Sequence, residues 1–252
     1  MKNLKGRAVF AQSGGPTAVI NASVAGGIIA ALDSPYITGV LCANHGVKGV
    51  LNEDFFDMNA EDRNEIFALK NTPASAFGSV RYKLKDFAVD DTDYKRVIEV
   101  FKKYDVHYFF YAGGNDSMDT CDKISRYAES VGYPVNVIGI PKTIDNDLVG
   151  TDHCPGYGSA AKYVAQSVAE VALDASVYDS PLVIIVEIMG RNAGWLTAAA
   201  SLASLNGSGA DLIYLPEVTF DNDKFIADVK RVVDKKQKCV VAVSEGIRHA
   251  NG

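Results

Sequence analysis

The stretch Val135-Asn136-Val137-Ile138-Gly139-Ile140-Pro141-Lys142-Thr143-Ile144-Asp145-Asn146-Asp147 decides how the chain is read. Its apolar half has the length of a buried strand and stops at a proline, which cannot donate to a sheet ladder. The polar half therefore begins just past a strand's carboxyl end, the edge where open α/β sheets bind ligands. An Asp-Asn-Asp run is also a common turn, closed by side-chain bonds to its own backbone. Lys142 is what favours chemistry. A cation to hold an anion, a carboxylate to accept a proton and a second carboxylate to hold a metal or hydroxyl are the parts that phosphoryl transfer requires.

The same layout recurs on either side. Arg7 to Ala11 reads as a strand, followed by Gln12-Ser13-Gly14-Gly15-Pro16-Thr17 and a small-residue helix from about Ala18 to Leu32. Val106 to Tyr111 reads as a strand that runs into Ala112-Gly113-Gly114-Asn115-Asp116-Ser117. The helix after it is expected over Met118 to Val131, with Asn115, Asp116 and Ser117 at its N-cap. Glycines let backbone N–H groups approach an anion, and a helix start adds partial positive charge. Neither turn is a G-x-G-x-x-G or Walker loop.

Further along, a strand over Gly39 to Ala43 enters the glycine-punctuated run Asn44 to Gly49. An acidic helix is expected near Ala60 to Lys70, and a flexible loop, Ala76 to Arg81, carries Arg81. Helices are expected over Asp93 to Lys103 and Ala160 to Ala175. Leu182 to Ile188 is a near-continuous apolar run, the mark of a parallel strand covered on both faces. It leads into Met189-Gly190-Arg191, where a glycine would let Arg191 and nearby amides close on an anion. Strands over Asp211 to Leu215 and Lys238 to Val243 flank a basic helix, Phe225 to Lys236. Strands alternating with helices imply right-handed βαβ crossovers and a largely parallel sheet. Gly150, Pro155, Gly156 and Gly158 cluster at a domain change, dividing the chain into 1–155 and 156–252.

The 252 residues are 48% hydrophobic and 22% charged, the balance of a globular chain. A formal net charge of −6 argues against a nucleic-acid or anionic-membrane surface, so any phosphate must be held by a local site. The longest apolar run is broken by Glu187 and falls short of the ~20 residues that span a bilayer. Met1 to Gly6 lead into Arg7 without an apolar signal core, so a cytoplasmic address is expected. Cys42, Cys121, Cys154 and Cys239 are widely spaced, with no pattern for zinc or disulfides, and His153-Cys154 lacks the electropositive setting of a reactive thiol.

Ser13-Gly14-Gly15, Gly78-Ser79-Val80-Arg81, Gly113-Gly114-Asn115-Asp116-Ser117, Lys142 to Asp147, Met189-Gly190-Arg191, Pro216-Glu217 and Ser244-Glu245-Gly246 follow one another along the whole chain. In that order they closely resemble the phosphofructokinase family, and within it the pyrophosphate-dependent branch. The resemblance implies two Rossmann-like three-layer α/β lobes, a donor lobe over 1–155 and a sugar-phosphate lobe over 156–252. It implies that Gly15, Gly114, Asn115, Asp116, Ser117 and Lys142 bind the phosphoryl donor and that Arg81 spans donor and acceptor phosphates. Asp145 is similar to the general base for the sugar 1-hydroxyl, with Arg81 and Lys142 as its catalytic companions. Thr143, Asp145, Asp147, Met189, Gly190, Arg191 and Glu245 resemble the fructose 6-phosphate site. Mg2+ is the implied cofactor, at Asp116 and Asp147, and the implied assembly is a homo-oligomer, dimer or tetramer.

The sequence departs from the family pattern at three places. Asn115 stands where much of the family has an aspartate near the metal. Leu182 stands where ATP-using bacterial relatives place an arginine that crosses a subunit interface. The family also continues past the position of Gly252, so the chain is expected to match a C-terminally shortened form. The expected activity is phosphoryl transfer from pyrophosphate to the 1-hydroxyl of fructose 6-phosphate. An ATP-dependent 6-phosphofructokinase, or a non-catalytic regulatory subunit on the same fold, stands beside it, since Lys142 alone does not settle the donor and fold does not settle function.

Overall fold

The computed structural model describes residues 4–252, so the first three residues of the leader reading lie outside it. The chain forms two compact units, 1–142 and 143–252, each taken here by itself. The division falls between Lys142 and Thr143, ahead of the glycine cluster around Gly150 to Gly158. The physical reason is local: Thr143 bridges to Gly156, which closes the intervening segment onto the second unit.

The first unit holds β1 (Gly6–Gln12), α1 (Ile20–Leu32), β2 (Ile37–Ala43), α2 (Val47–Asn52), β3 (Phe55–Asp57), α3 (Arg63–Ala68), α4 (Thr92–Tyr104), β4 (Val106–Gly113), α5 (Asn115–Ser130) and β5 (Asn136–Pro141). Its sheet runs β3-β2-β1-β4-β5, parallel except for the β2/β3 pair. Alternation along β1 explains the layers. Ala8 and Phe10 pack with Ile20, Val24 and Ile28 of α1, while Val9 and Ala11 pack with Val97, Phe101 and Ile124 of α4 and α5. A strand buried on both faces is apolar over its buried length, as β1 is from Ala8 to Ala11.

Three elements differ from the sequence reading. The run after β2 holds a short helix, α2, in which Gly49 is required because a Cβ there would strike the Asn44 backbone. β3 adds an antiparallel edge that no long apolar run announced. α5 begins at Asn115, three residues before the expected start, because Gly114 rather than Asn115, Asp116 or Ser117 takes the N-cap position, and no side chain caps it.

The second unit holds α6 (Tyr157–Ser176), β6 (Leu182–Ile188), α7 (Trp195–Ala199), β7 (Leu212–Tyr214), α8 (Asn222–Lys236) and β8 (Lys238–Ser244). Its parallel sheet runs β6-β8-β7. Ile188 and Ala242 pack with Val168 of α6 and Leu196 of α7, and Cys239 and Val241 pack with Val232 of α8. The expectation that β6 is covered on both faces is corrected here. Among the described residues β6 is an edge strand, and Val183, Ile185 and Glu187 on one of its faces are exposed.

One ion cluster ties α2 to α4. Glu53 ends α2 in a left-handed turn and accepts from Arg96 (2.7 Å), Lys103 (2.5 Å) and the Tyr104 hydroxyl (2.9 Å). Bonds from Lys103, then Arg96 and Tyr104, pull its carboxyl from the usual 4.5 down to about 2. A carboxylate held below its unfolded value stabilises fully above that value and ceases to do so as pH falls through the folded one. Between pH 4.5 and about 2 the wild type should therefore lose melting temperature more steeply than Glu53→Gln. Parallel slopes in a pH series of thermal melts would show that the cluster contributes nothing.

Candidate active site

In the first unit the parallel register brings three strand ends level. Gln12 pairs with Ala112 and Gly113 with Pro141, so the residues after β1, β4 and β5 emerge side by side. Ser13 N–H donates to Ala112 O (2.9 Å) and Lys142 N–H to Gly113 O (2.9 Å), fastening the three turns together. The Lys142 side chain is 7% exposed and its ammonium donates to Gly15 O at 2.5 Å. Gly14, at φ +78°, lies so close that a Cβ would stand 3.5 Å from both Gly114 N and Lys142 Nζ, whereas Gly15 faces open space. The start of α5, with Asn115 and Asp116 in its first turn and no side-chain cap, opens at the same place. Backbone amides, a helix start and a buried ammonium around open space make a cradle for a compact anion.

Ser117 is buried against Gly113, where any Cβ would collide with its hydroxyl. Asp116 is different: its side chain is 87% exposed, with Lys83 Nζ 3.7 Å away. Arg81 lies exposed on a loop tied to the cradle through Ser79 Oγ, which donates to Gly14 O (2.5 Å), and Ser13 Oγ, which donates to Val80 O (2.9 Å).

Sequence reasoning missed the residues that hold this loop. Gln12 and Asn21 are 0% and 1% exposed. Gln12 Nε2 donates to Asn21 Oδ1 (2.9 Å), and Gln12 Oε1 accepts from Ser75 Oγ (2.9 Å) and Phe77 N–H (3.0 Å). Asn21 also accepts from Ala76 N–H (2.9 Å) and donates to Thr72 O (2.8 Å). A buried amide side chain persists only if its bonds are made, so these two pin residues 72–77. A polar residue ending an apolar strand, Gln12, was the one available signal.

In the second unit Thr143 Oγ1 accepts from Asp145 N–H (3.1 Å) and donates to Asp147 Oδ1 (3.1 Å). Asn146, at φ +58°, turns inward instead: it is 8% exposed, accepts from Cys154 N–H (2.7 Å) and donates to Asp152 O (3.3 Å). Anchoring the middle residue leaves Asp145 and Asp147 half-buried on either side. A cavity of about 740 Å³ opens between this segment, lined by Asp147 and Asp152, and Asn192, Ala193 and Trp195.

Met189, Gly190, Arg191 and Glu245 come together at the ends of β6 and β8. Glu245 Oε1 accepts from Gly190 N–H (3.1 Å), and Ser244 Oγ donates to Gly190 O (2.8 Å). Gly190 adopts φ +122°, and a Cβ would meet Ala193 O at 2.6 Å, so no other residue fits. Arg191 and Met189 are exposed. The four cysteines are buried, and burial raises the Cys42 thiol well above its usual range and pushes Cys121 up to about 12, far from thiolate chemistry. Among the described residues no three His, Cys, Asp or Glu side chains converge on a metal position. Mg2+ takes one or two protein carboxylates and completes its shell with phosphate oxygens and water, and Asp116 of the first unit and Asp147 of the second are each carboxylates of that kind.

A three-layer α/β unit with glycine turns at its strand ends belongs to the parallel α/β class, whose ligands bind at the carboxyl ends of the strands. Comparison with known proteins makes this particular: the sequence profile described as phosphofructokinase matches residues 7–252, and the chain belongs to the phosphofructokinase family. It is 51% identical over 253 residues to the pyrophosphate–fructose 6-phosphate 1-phosphotransferase of Xanthomonas campestris pv. campestris, covering 98% of this chain and 59% of that protein. The protein of the same name from Halomonas elongata is 48% identical, with 97% and 59% covered. A solved pyrophosphate-dependent phosphofructokinase from Nitrosospira multiformis superposes with a TM-score of 0.88 at 46% identity, covering 98% of this chain and 62% of that one. The chain thus spans about three fifths of the length of these relatives.

Gln12→Leu, which keeps the bulk and removes both polar ends, should cost about 2–4 kcal/mol of stability by orphaning the Ser75 and Phe77 donors. Urea unfolding checks this. A midpoint equal to wild type would mean that the network is not needed to hold the Arg81 loop.

Proposed function

We propose that the protein of which this chain forms all or part transfers a phosphoryl group from pyrophosphate to the 1-hydroxyl of fructose 6-phosphate, reversibly, giving fructose 1,6-bisphosphate. The observation that carries this reading is the buried Lys142 ammonium set among Gly14, Gly15 and Gly114. A compact, highly charged donor suits a point cation among backbone amides. The names of the relatives support the same donor and acceptor.

In this reading Gly15, Gly114, Asn115, Asp116 and Ser117 line the donor site. Asp145 accepts the proton of the 1-hydroxyl as that oxygen attacks phosphorus, a role commonly worth ~100- to 10,000-fold. Arg81 and Lys142 stabilise charge on the transferring group. Thr143 orients Asp145 and Asp147 through its two hydrogen bonds. Arg191, with Met189, Gly190 and Glu245, holds the acceptor, its guanidinium taking the 6-phosphate. Mg2+ held by Asp147 and Asp116 would supply charge neutralisation at the phosphates. No helix among the described residues is long and apolar enough to cross a membrane. A cytoplasmic homo-oligomer, dimer or tetramer, completes the proposal.

ATP is the competing donor, since an ATP-dependent 6-phosphofructokinase from Actinobacillus pleuropneumoniae is 32% identical over 97% of this chain. Asp116 argues for pyrophosphate. A carboxylate near the α-phosphate of a nucleotide repels it, and pyrophosphate has no such group. Solvent exposure and Lys83 screen that charge, so Asp116→Gly should raise kcat/KM for ATP by roughly tenfold. Lys142→Gly should mainly harm pyrophosphate use. Coupled assays of bisphosphate formation with each donor read both effects, and a wild type that prefers ATP defeats the proposal.

Asp145→Asn keeps the shape and cannot take the proton. Turnover should fall about 100-fold or more with fructose 6-phosphate affinity intact. Turnover within a few-fold of wild type would remove Asp145 from the mechanism.

A further inference from the structure

Pro216-Glu217 stands out in the sequence, yet the chemistry above does not use it. Directly after β7, Glu217 Oε1 accepts from Gly194 N–H at 2.7 Å. Gly194 is buried, and a Cβ on it would stand 2.5 Å from Glu217 Oε2 and 2.9 Å from Pro216 Cδ, so this segment is fitted against glycine and nothing larger. At the other end of the same loop Glu245 Oε1 accepts from Gly190 N–H. Gly246 lies under the Arg191 carbonyl with no room for a Cβ. The five residues 190–194 are thus clamped at both ends by carboxylates that accept backbone amides, and the exposed Arg191 is carried between the clamps.

Held at one end only, such a loop would keep Arg191 but lose its aim. A guanidinium binds phosphate through a planar fork, and a fork depends on direction more than a point charge does. An amide bonded to a carboxylate is also stronger than one bonded to a neutral group. We infer that Glu217 is a positioning residue for acceptor affinity: by fixing Gly194 it aims the Arg191 loop at the acceptor's phosphate without touching the substrate. This rests on reading 189–191 as the sugar-phosphate contact.

The test uses the natural polypeptide that contains these 252 residues, as wild type, Glu217→Ala, Glu217→Gln and Gly194→Ala. Glu217→Ala should raise KM for fructose 6-phosphate roughly tenfold, the worth of one charge-assisted bond, with kcat and KM for pyrophosphate little changed. Glu217→Gln retains an acceptor oxygen without the charge and should fall between wild type and Glu217→Ala. Gly194→Ala should resemble Glu217→Ala, because the methyl displaces the carboxylate. Hydrogen exchange of the 190–194 amides should be fastest in Glu217→Ala and intermediate in Glu217→Gln. An unchanged acceptor KM in Glu217→Ala overturns the inference. So does a loss shared equally by kcat and both KM values together with a lowered melting temperature, which marks a merely structural role. If the wild type forms no bisphosphate with either donor, the proposed function fails separately. Calorimetric titration with fructose 6-phosphate, alongside the exchange data, then decides the role of Glu217: equal affinity in wild type and Glu217→Ala, or no binding by either, overturns it.

Discussion

A charged ammonium inside a protein must find hydrogen-bond acceptors, and the burial of Lys142 against Gly15 O imposes that demand on the first unit. Meeting it requires the ends of β1, β4 and β5 to be level, which their parallel register provides. The turns between them use glycine where the backbone needs it: Gly14 adopts φ +78°, which side chains rarely allow, and a Cβ on Gly113 would collide with the Ser117 hydroxyl. This arrangement leaves α5 starting beside the same turns, with no side-chain cap at Gly114. A lysine held in this way is a fixed cation, and fixed charge costs no reorganisation when an anion arrives.

The same economy of parts governs every loop of the candidate site. Apart from Lys142 and Ser117, the side chains suited to meet substrate, such as Arg81, Asp145, Asp147 and Arg191, are exposed or half-buried, and the backbone beneath them is held by buried polar residues. Gln12 and Asn21 do this for the Arg81 loop, Asn146 for Asp145 and Asp147, and Ser244 for Gly190. Loops carry function because they reach solvent, and they need such internal anchors to present a side chain in one direction.

The fold class was legible because its cause is local. Apolar runs that end in glycine or proline, alternating with helical periodicity, specify strands and crossovers wherever they occur. The residues of the cradle were legible for a related reason. Gly14, Gly15, Gly114 and Lys142 sit at strand ends, and a parallel sheet gathers all its strand ends on one edge. What escaped was structure defined by neighbours: β3 pairs only because β2 offers an edge, and α2 needs Gly49 because the Asn44 backbone lies against it. The exposed face of β6 escaped likewise, since hydrophobicity marks an apolar strand but not what lies over it.

By itself, then, the sequence determined the alternation of elements, the parallel sheets, the family and the residue types that phosphoryl transfer would use. Only the tertiary structure decided that α5 begins at Asn115, that the chain divides at Lys142, and that Gln12, Asn21, Asn146 and Glu217 hold the loops of the site. The physical reason is range. Periodicity and turn chemistry act over a few residues, whereas the donors that Gln12 Oε1 accepts from lie 63 and 65 positions away and that of Glu217 lies 23 away. Such bonds exist only once the chain has folded.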